Sequence, residues 1–201
     1  MASAADGERW VFGYGSLMWR PGFAFVERRS AVLHGRRRAF CIYSVHHRGT
    51  PARPGLVLGL AAGGAVRGAA YRVAGAAWPH VHAYLLEREQ PTETYIERAA
   101  TVRLDGGRAV RAVTFLSDVS HPQWAGDLGL ETQAALIDGA SGLSGRNIDY
   151  LRDLVAHLRA EGVRDRTMET LLVMVEARAA AAHPLAESSA SKAAEAPSIR
   201  S

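Results

Sequence analysis

Strand-like segments dominate this chain from Trp10 to Ser117, and helical periodicity takes over after Asn147. The segments "WVFGY" (10–14), "SAVLHG" (30–35), "RAFCIYS" (38–44), "GLVLGLAA" (55–62) and "VRGAAYRV" (66–73) are short and apolar or β-branched. Gly and Pro punctuate them, as they do strands. Residues 79–90 read as a helix. Two further strands, "RAATVRL" (98–104) and "AVRAVTFLS" (109–117), flank Asp105-Gly106-Gly107, a hairpin signal. The segment "NIDYLRDLVAHLRAEG" (147–162) places Ile148, Leu151, Leu154, Val155 and Leu158 on one face and stops at Gly162. A last helix, "DRTMETLLVMVEARA" (165–179), follows an Asp or Thr cap. Strands gathered ahead of helices, with little βαβ alternation, argue against a doubly wound dinucleotide fold. They favour a mixed α/β (α+β) architecture, a small barrel-like mixed sheet with helices packed on it.

Length and composition narrow the reading. The 201 residues fit one domain with a sizeable core. We place that domain at 10–179, between a flexible 1–9 segment and an Ala-, Ser- and Pro-rich disordered tail, 180–201. No stretch is long and apolar enough to span a bilayer. The N-terminus lacks the apolar run of a secretory signal. The lone Cys41 excludes an internal disulfide framework and a Cys-rich zinc site, and fits a reducing compartment. Its apolar setting marks a core residue rather than a nucleophile. The lone lysine, Lys192, lies in the tail, so a P-loop or a buried Schiff-base lysine has nothing to build on. The formal net charge is +4, and arginines crowd the first quarter. The triplet Arg36 to Arg38 reads either as an anion or nucleic-acid patch or as solvated strand charge.

Two places could carry chemistry. In "WVFGYGSLMW", a Gly-Tyr-Gly-Ser turn follows a strand. Glycines at positive φ would let successive N–H groups converge on a carboxylate or phosphate; a plain strand-ending turn is the alternative. There is no third glycine for a dinucleotide fingerprint, and the spacing is not that of a nucleophile elbow. The second place is the helix "HVHAYLLEREQ". At about 100° per residue from Val81, Leu85 falls near about 40°, Glu89 near about 80° and Leu86 near about 140°. Glu89 therefore shares the apolar face, whereas Glu87, near about 240°, belongs with solvent. A carboxylate on an apolar face is either paired, here with Arg88, or raised in pKa as an acid or base. The histidines sit at no metal-ligand spacing, and His80 and His82 face apart. Asn147 is a candidate N-cap for the helix that follows.

Together these pieces resemble a known family. "VFGYGSLMW", "HRGTPARPGLVLGL" (47–60), "GAAYRV" (68–73), "YLLERE" ending at Glu89 and "ASGLSGRNIDYL" (140–151) stand in the order seen in ChaC proteins, the glutathione-specific γ-glutamylcyclotransferases. The resemblance runs from Trp10 to Ala177. It implies a small mixed α/β fold with a β-barrel-like sheet. It also implies a lyase-type cleavage of glutathione to 5-oxoproline and cysteinylglycine, with no metal or other cofactor. The matching positions make Glu89 the catalytic acid/base and Val11, Phe12, Gly13, Tyr14, Gly15 and Ser16 the substrate loop. Arg48, Tyr95, Asn147 and Tyr150 lie in or beside matching segments and are candidate supports of the pocket. The stretch after Glu89, "QPTETYIERAATV", is expected to border the peptide side. A monomeric cytoplasmic enzyme acting on small-molecule glutathione, without nucleic-acid or membrane partners, is the expectation. The alternatives are a cyclotransferase for other γ-glutamyl amines and a non-catalytic anion-binding module.

Overall fold

A computed structural model describes residues 9–89 and 94–182. Five strands close into a barrel in the order β1-β3-β2-β4-β5. They are β1 (Arg9–Gly13), β2 (Glu27–Ser44), β3 (Gly55–Val73), β4 (Tyr95–Leu104) and β5 (Ala109–Ser117). Neighbours are antiparallel except at the seam, where Trp10 and Val11 of β1 pair in parallel with Ala112 and Val113 of β5. Helix α1 (Trp78–Glu89) links β3 to β4; α2 (Leu130–Ile137), a short β6–β7 hairpin (Ser141–Gly142 and Gly145–Arg146), α3 (Asn147–Ala160) and α4 (Arg166–Ala182) follow. No helix among the described residues is long and apolar enough to cross a membrane.

Four of the expected strands are two. The segments 30–35 and 38–44 belong to β2, and 55–62 and 66–73 belong to β3. Gly35 (φ +79°) and Gly63-Gly64 (φ +86° and +70°) occupy left-handed backbone, as turn glycines do. Here they face each other across the ribbon. Pairing passes from His34 opposite Ala65 to Arg36 opposite Ala62, so the ladder bulges and resumes. Arg9 already lies in β1, and α4 runs to Ala182; the remainder of each expected tail lies outside the described residues, as do residues 90–93.

The barrel interior and the helices share one core, with Val11, Phe12, Phe40, Leu56, Tyr71 and Leu85 almost inaccessible. Each such aliphatic or aromatic side chain contributes about 1.5–3 kcal/mol on burial. The predicted apolar face of α3 is buried throughout, and Gly162 (φ +70°) ends it, with Val163 N–H reaching back to the Leu158 carbonyl at 2.8 Å. Asp165 caps α4: its carboxylate accepts the Met168 N–H at 3.3 Å. Helix α2 has no counterpart in the sequence reading. Its eight residues make barely two turns between glycines, too few for a clear period, yet Ala134 and Ile137 are wholly buried.

Candidate active site

The chain leaves β1 at Gly13, folds through Tyr14 and Gly15, and enters a single 3-10 turn, Ser16–Met18. Its glycines serve space rather than handedness. Gly15 has φ −125°, and Gly13 is likewise outside the left-handed region, which corrects the positive-φ expectation. A Cβ on Gly13 would stand 2.6 Å from Leu17 Cβ, so only glycine lets the loop fold back on itself. A Cβ on Gly15 would meet the end of Leu58 at 3.2 Å, a much milder contact.

Buried side chains seize the loop by its carbonyls. Arg38 donates from Nε to Tyr14 O at 2.7 Å and also reaches Arg67 O, Met18 Sδ and Asp165. The Tyr71 hydroxyl lies 2.8 Å from the carbonyls of both Leu17 and Met18. Among the described residues none accepts a hydrogen bond from the N–H of Gly15, Ser16 or Leu17. Arg38, one of the three adjacent arginines, is thus a fastener at 3% exposure, not a surface patch. Arg37 pairs with Asp127 at 2.6 Å, and Arg28 and Arg29 pair with Glu161 and Asp105.

Glu89, the last residue of α1, lies against this loop. Arg88 connects them: its Nε stands 3.1 Å from Glu89 Oε1, and its Nη2 donates to Ser16 Oγ at 2.9 Å. Pairing and a raised pKa therefore coexist at Glu89. It is paired with Arg88, yet burial pushes its carboxyl pKa up, and the neighbouring guanidinium only partly opposes that. Glu87 is exposed, as its position on the helix implies.

Three phenols surround the carboxylate. Tyr14 donates to Phe115 O at 2.9 Å, and Tyr95 donates to Leu58 O at 2.6 Å. The Leu58 N–H serves Tyr150, so one backbone unit steadies two rings. Burial, reinforced by the Glu89 charge, raises all three phenols, Tyr150 to about 12; they stay protonated at neutral pH. The resulting cleft is lined by Phe12, Tyr14 to Leu17, Glu89 and the other two phenols. A second cleft runs from Glu89 and Tyr95 toward Ile42, Val57 and the His46-His47 turn. Glu89 and Tyr95 line both.

The remaining candidates act at one remove. Val11 is buried in the barrel wall and lines neither cleft. Arg48 stacks its guanidinium 5.3 Å from the Tyr150 ring centre and donates to Arg146 O. Asn147 is not the expected N-cap; that position is Arg146, without a side-chain bond. Asn147 instead opens α3 wholly buried. Its Oδ1 accepts the Leu56 N–H and its Nδ2 donates to Leu56 O, both at 2.7 Å. This two-point clamp holds β3 beside Tyr150. The sequence reading missed Leu58 and Phe115, whose contributions come from backbone groups that residue identity does not reveal.

Comparison with known proteins bears on the family and the fold. The family model for ChaC-like proteins matches residues 9–178. The glutathione-specific gamma-glutamylcyclotransferase of Escherichia coli (strain K12) is 39% identical over 171 residues, covering 85% of this chain and 74% of that protein. The human glutathione-specific gamma-glutamylcyclotransferase 1 is 31% identical over 172 residues, covering 84% of this chain and 77% of that one. A crystal structure of the yeast gamma-glutamylcyclotransferase specific to glutathione superposes with a TM-score of 0.75 at 24% identity. It covers 86% of this chain and all of that one, a likeness that bears on the fold. The family model spans most of the chain, and the chain belongs to the ChaC-like family.

Proposed function

We propose that this protein cleaves the γ-glutamyl bond of glutathione by intramolecular cyclisation, releasing 5-oxoproline and cysteinylglycine. The observation that carries the reading is the position of Glu89: a half-buried carboxylate with a raised pKa, where two clefts meet, beside a loop whose N–H groups find no acceptor among the described residues.

The substrate supplies its own nucleophile. Its α-amine attacks the γ-carbonyl carbon, a C–N bond closes a five-membered ring, and the bond to the cysteinyl nitrogen breaks. Holding the chain in the one rotamer that brings amine to carbonyl supplies much of the acceleration. Glu89 takes a proton from the α-ammonium, which is not nucleophilic while charged, and returns it to the leaving nitrogen. A carboxyl nearer neutrality suits both transfers. Tyr14 commits its proton to Phe115 O, so it faces the substrate as an acceptor for the ammonium. The N–H groups of Gly15, Ser16 and Leu17 suit the α-carboxylate, with the loop carbonyls held away by Arg38 and Tyr71. Backbone donors fixed before the reaction need no reorganisation as charge develops.

The reading assigns catalysis to a single domain, 10–179, acting in the cytoplasm. Its test is incubation of purified protein with glutathione, with γ-glutamyl-lysine in parallel, and mass spectrometry of the products. We expect 5-oxoproline with cysteinylglycine from glutathione. Free glutamate would mean hydrolysis, and turnover of γ-glutamyl-lysine alone would move the enzyme to another substrate class; either outcome overturns the reading.

A further inference from the structure

The second cleft and the β6–β7 hairpin lie beyond the cyclising machinery, and they are joined. The turn after β2 carries His46 and His47, which form one wall of that cleft. The hairpin lies along this turn like a strap. The Leu143 N–H donates to His46 O at 2.8 Å, the Ser144 N–H donates to His47 O at 2.9 Å, and Ser144 Oγ lies 3.0 Å from His47 Nδ1. A Cβ on Gly142 would stand 2.3 Å from His46 O and 2.7 Å from Gly49 O, so the two backbones touch. Arg48, in the same turn, donates to Arg146 O at the hairpin's end.

The cleft's chemistry fits the leaving half of the substrate. It opens from Glu89 and Tyr95, the residues it shares with the cyclising cleft, so the bond to be broken lies at its mouth. Ile42, Val45 and Val57 offer an apolar wall for a small side chain. The exposed imidazoles of the turn offer N–H donors to a terminal carboxylate. We propose that the second cleft binds the departing cysteinylglycine and that Ser144, through the His46-His47 turn, is a positioning residue that sets specificity for this peptide half. The inference rests on the glutathione reading above. Ser144 touches no substrate; it fixes the wall the dipeptide lies against.

The test is steady-state kinetics of Ser144→Ala and Ser144→Thr on glutathione, with thermal unfolding alongside. Losing one exposed hydrogen bond predicts a KM raised about threefold to tenfold for the alanine variant. We expect kcat to stay within about twofold, because this bond lies outside the machinery that closes the ring, and Tm to fall by no more than about a few degrees. Ser144→Thr, which keeps the hydroxyl, restores KM. Gly142→Val, which separates the two backbones, gives a larger rise in KM. An unchanged KM in Ser144→Ala, or a loss of kcat and Tm with KM unmoved, overturns the assignment. Absence of 5-oxoproline from the wild-type protein is a different result, and it strikes the reading of function instead.

Discussion

The two clefts that meet at Glu89 are held in opposite ways. On the cyclising side, the loop is gripped by the interior: Arg38 and Tyr71, both buried, hold the carbonyls of Tyr14, Leu17 and Met18. Two of the surrounding phenols lean on one residue of β3, Leu58. On the peptide side, the His46-His47 turn is held by a hairpin whose residues are largely exposed, with Leu143 at 89%. A ring closure that gains its rate from a single rotamer needs the first kind of wall. A leaving peptide that must enter and depart needs only the second, because tight product binding would slow release.

That contrast can be broken at its strongest point first. Glu89→Gln should lower kcat about a thousandfold, within the range for general acid–base catalysis. The fold holds the Glu89 proton more tightly than the unfolded chain does, so Glu89 lowers stability as pH rises above the usual carboxylate pKa. The glutamine variant should therefore unfold no lower than wild type at neutral pH. Turnover retained, or a Tm lowered by several degrees, would break the assignment. Next comes Gly13→Ala, whose methyl collides with Leu17 and moves the loop by about 1 Å. We expect kcat/KM to fall about a hundredfold, since small misplacements of reacting groups are that damaging.

Arg38→Leu probes the grip itself. Removing a buried, multiply bonded cation and leaving Asp165 unpaired should cost about 2–4 kcal/mol in denaturant unfolding. A change as small as that of Ser144→Ala would erase the distinction between the two walls. The pH dependence sharpens it. Activity on the acid side should rise as Glu89 ionises, at a pH above the ordinary glutamate range. In Arg88→Gln that limb should move to still higher pH, because the guanidinium favours the ionised form. A limb unmoved, or moved downward, would detach it from Glu89. The smallest effect belongs to Gly15→Ala, less than about threefold in KM, since its methyl meets only a movable Leu58 terminus.

Much of this was legible in the chain. Glu89 could be found because helical periodicity puts it between two leucines, and the apolar face of α3 follows from the same rule. The Gly13 to Ser16 loop could be located by its glycines, but their purpose could not. Close approach to Leu17 depends on a fold-back that local sequence does not encode. Gly35 and Gly63-Gly64 look like turns because a bulge uses the same left-handed backbone; only the partner strand distinguishes them. Asn147 looks like a cap because Asn before an apolar run often is one, whereas its clamp on Leu56 joins residues far apart in sequence. The arginine triplet looks like a patch because charge in sequence says nothing about burial.

The parallel seam between β1 and β5 has a further consequence, in time rather than space. Residues 10 and 11 find partners at 112 and 113, a closure that bridges about a hundred residues and carries the entropy of so long a loop. Tyr14 and Phe115, just beyond that seam, meet only once it has zipped. Such distant pairing places the decisive step late in folding. A chain halted before β5 owns the glutamate, the loop, Leu58 and Tyr95, but it lacks Phe115 and Tyr150, which complete the wall. Catalytic competence therefore waits for β5 and for α3, which brings Tyr150 after it.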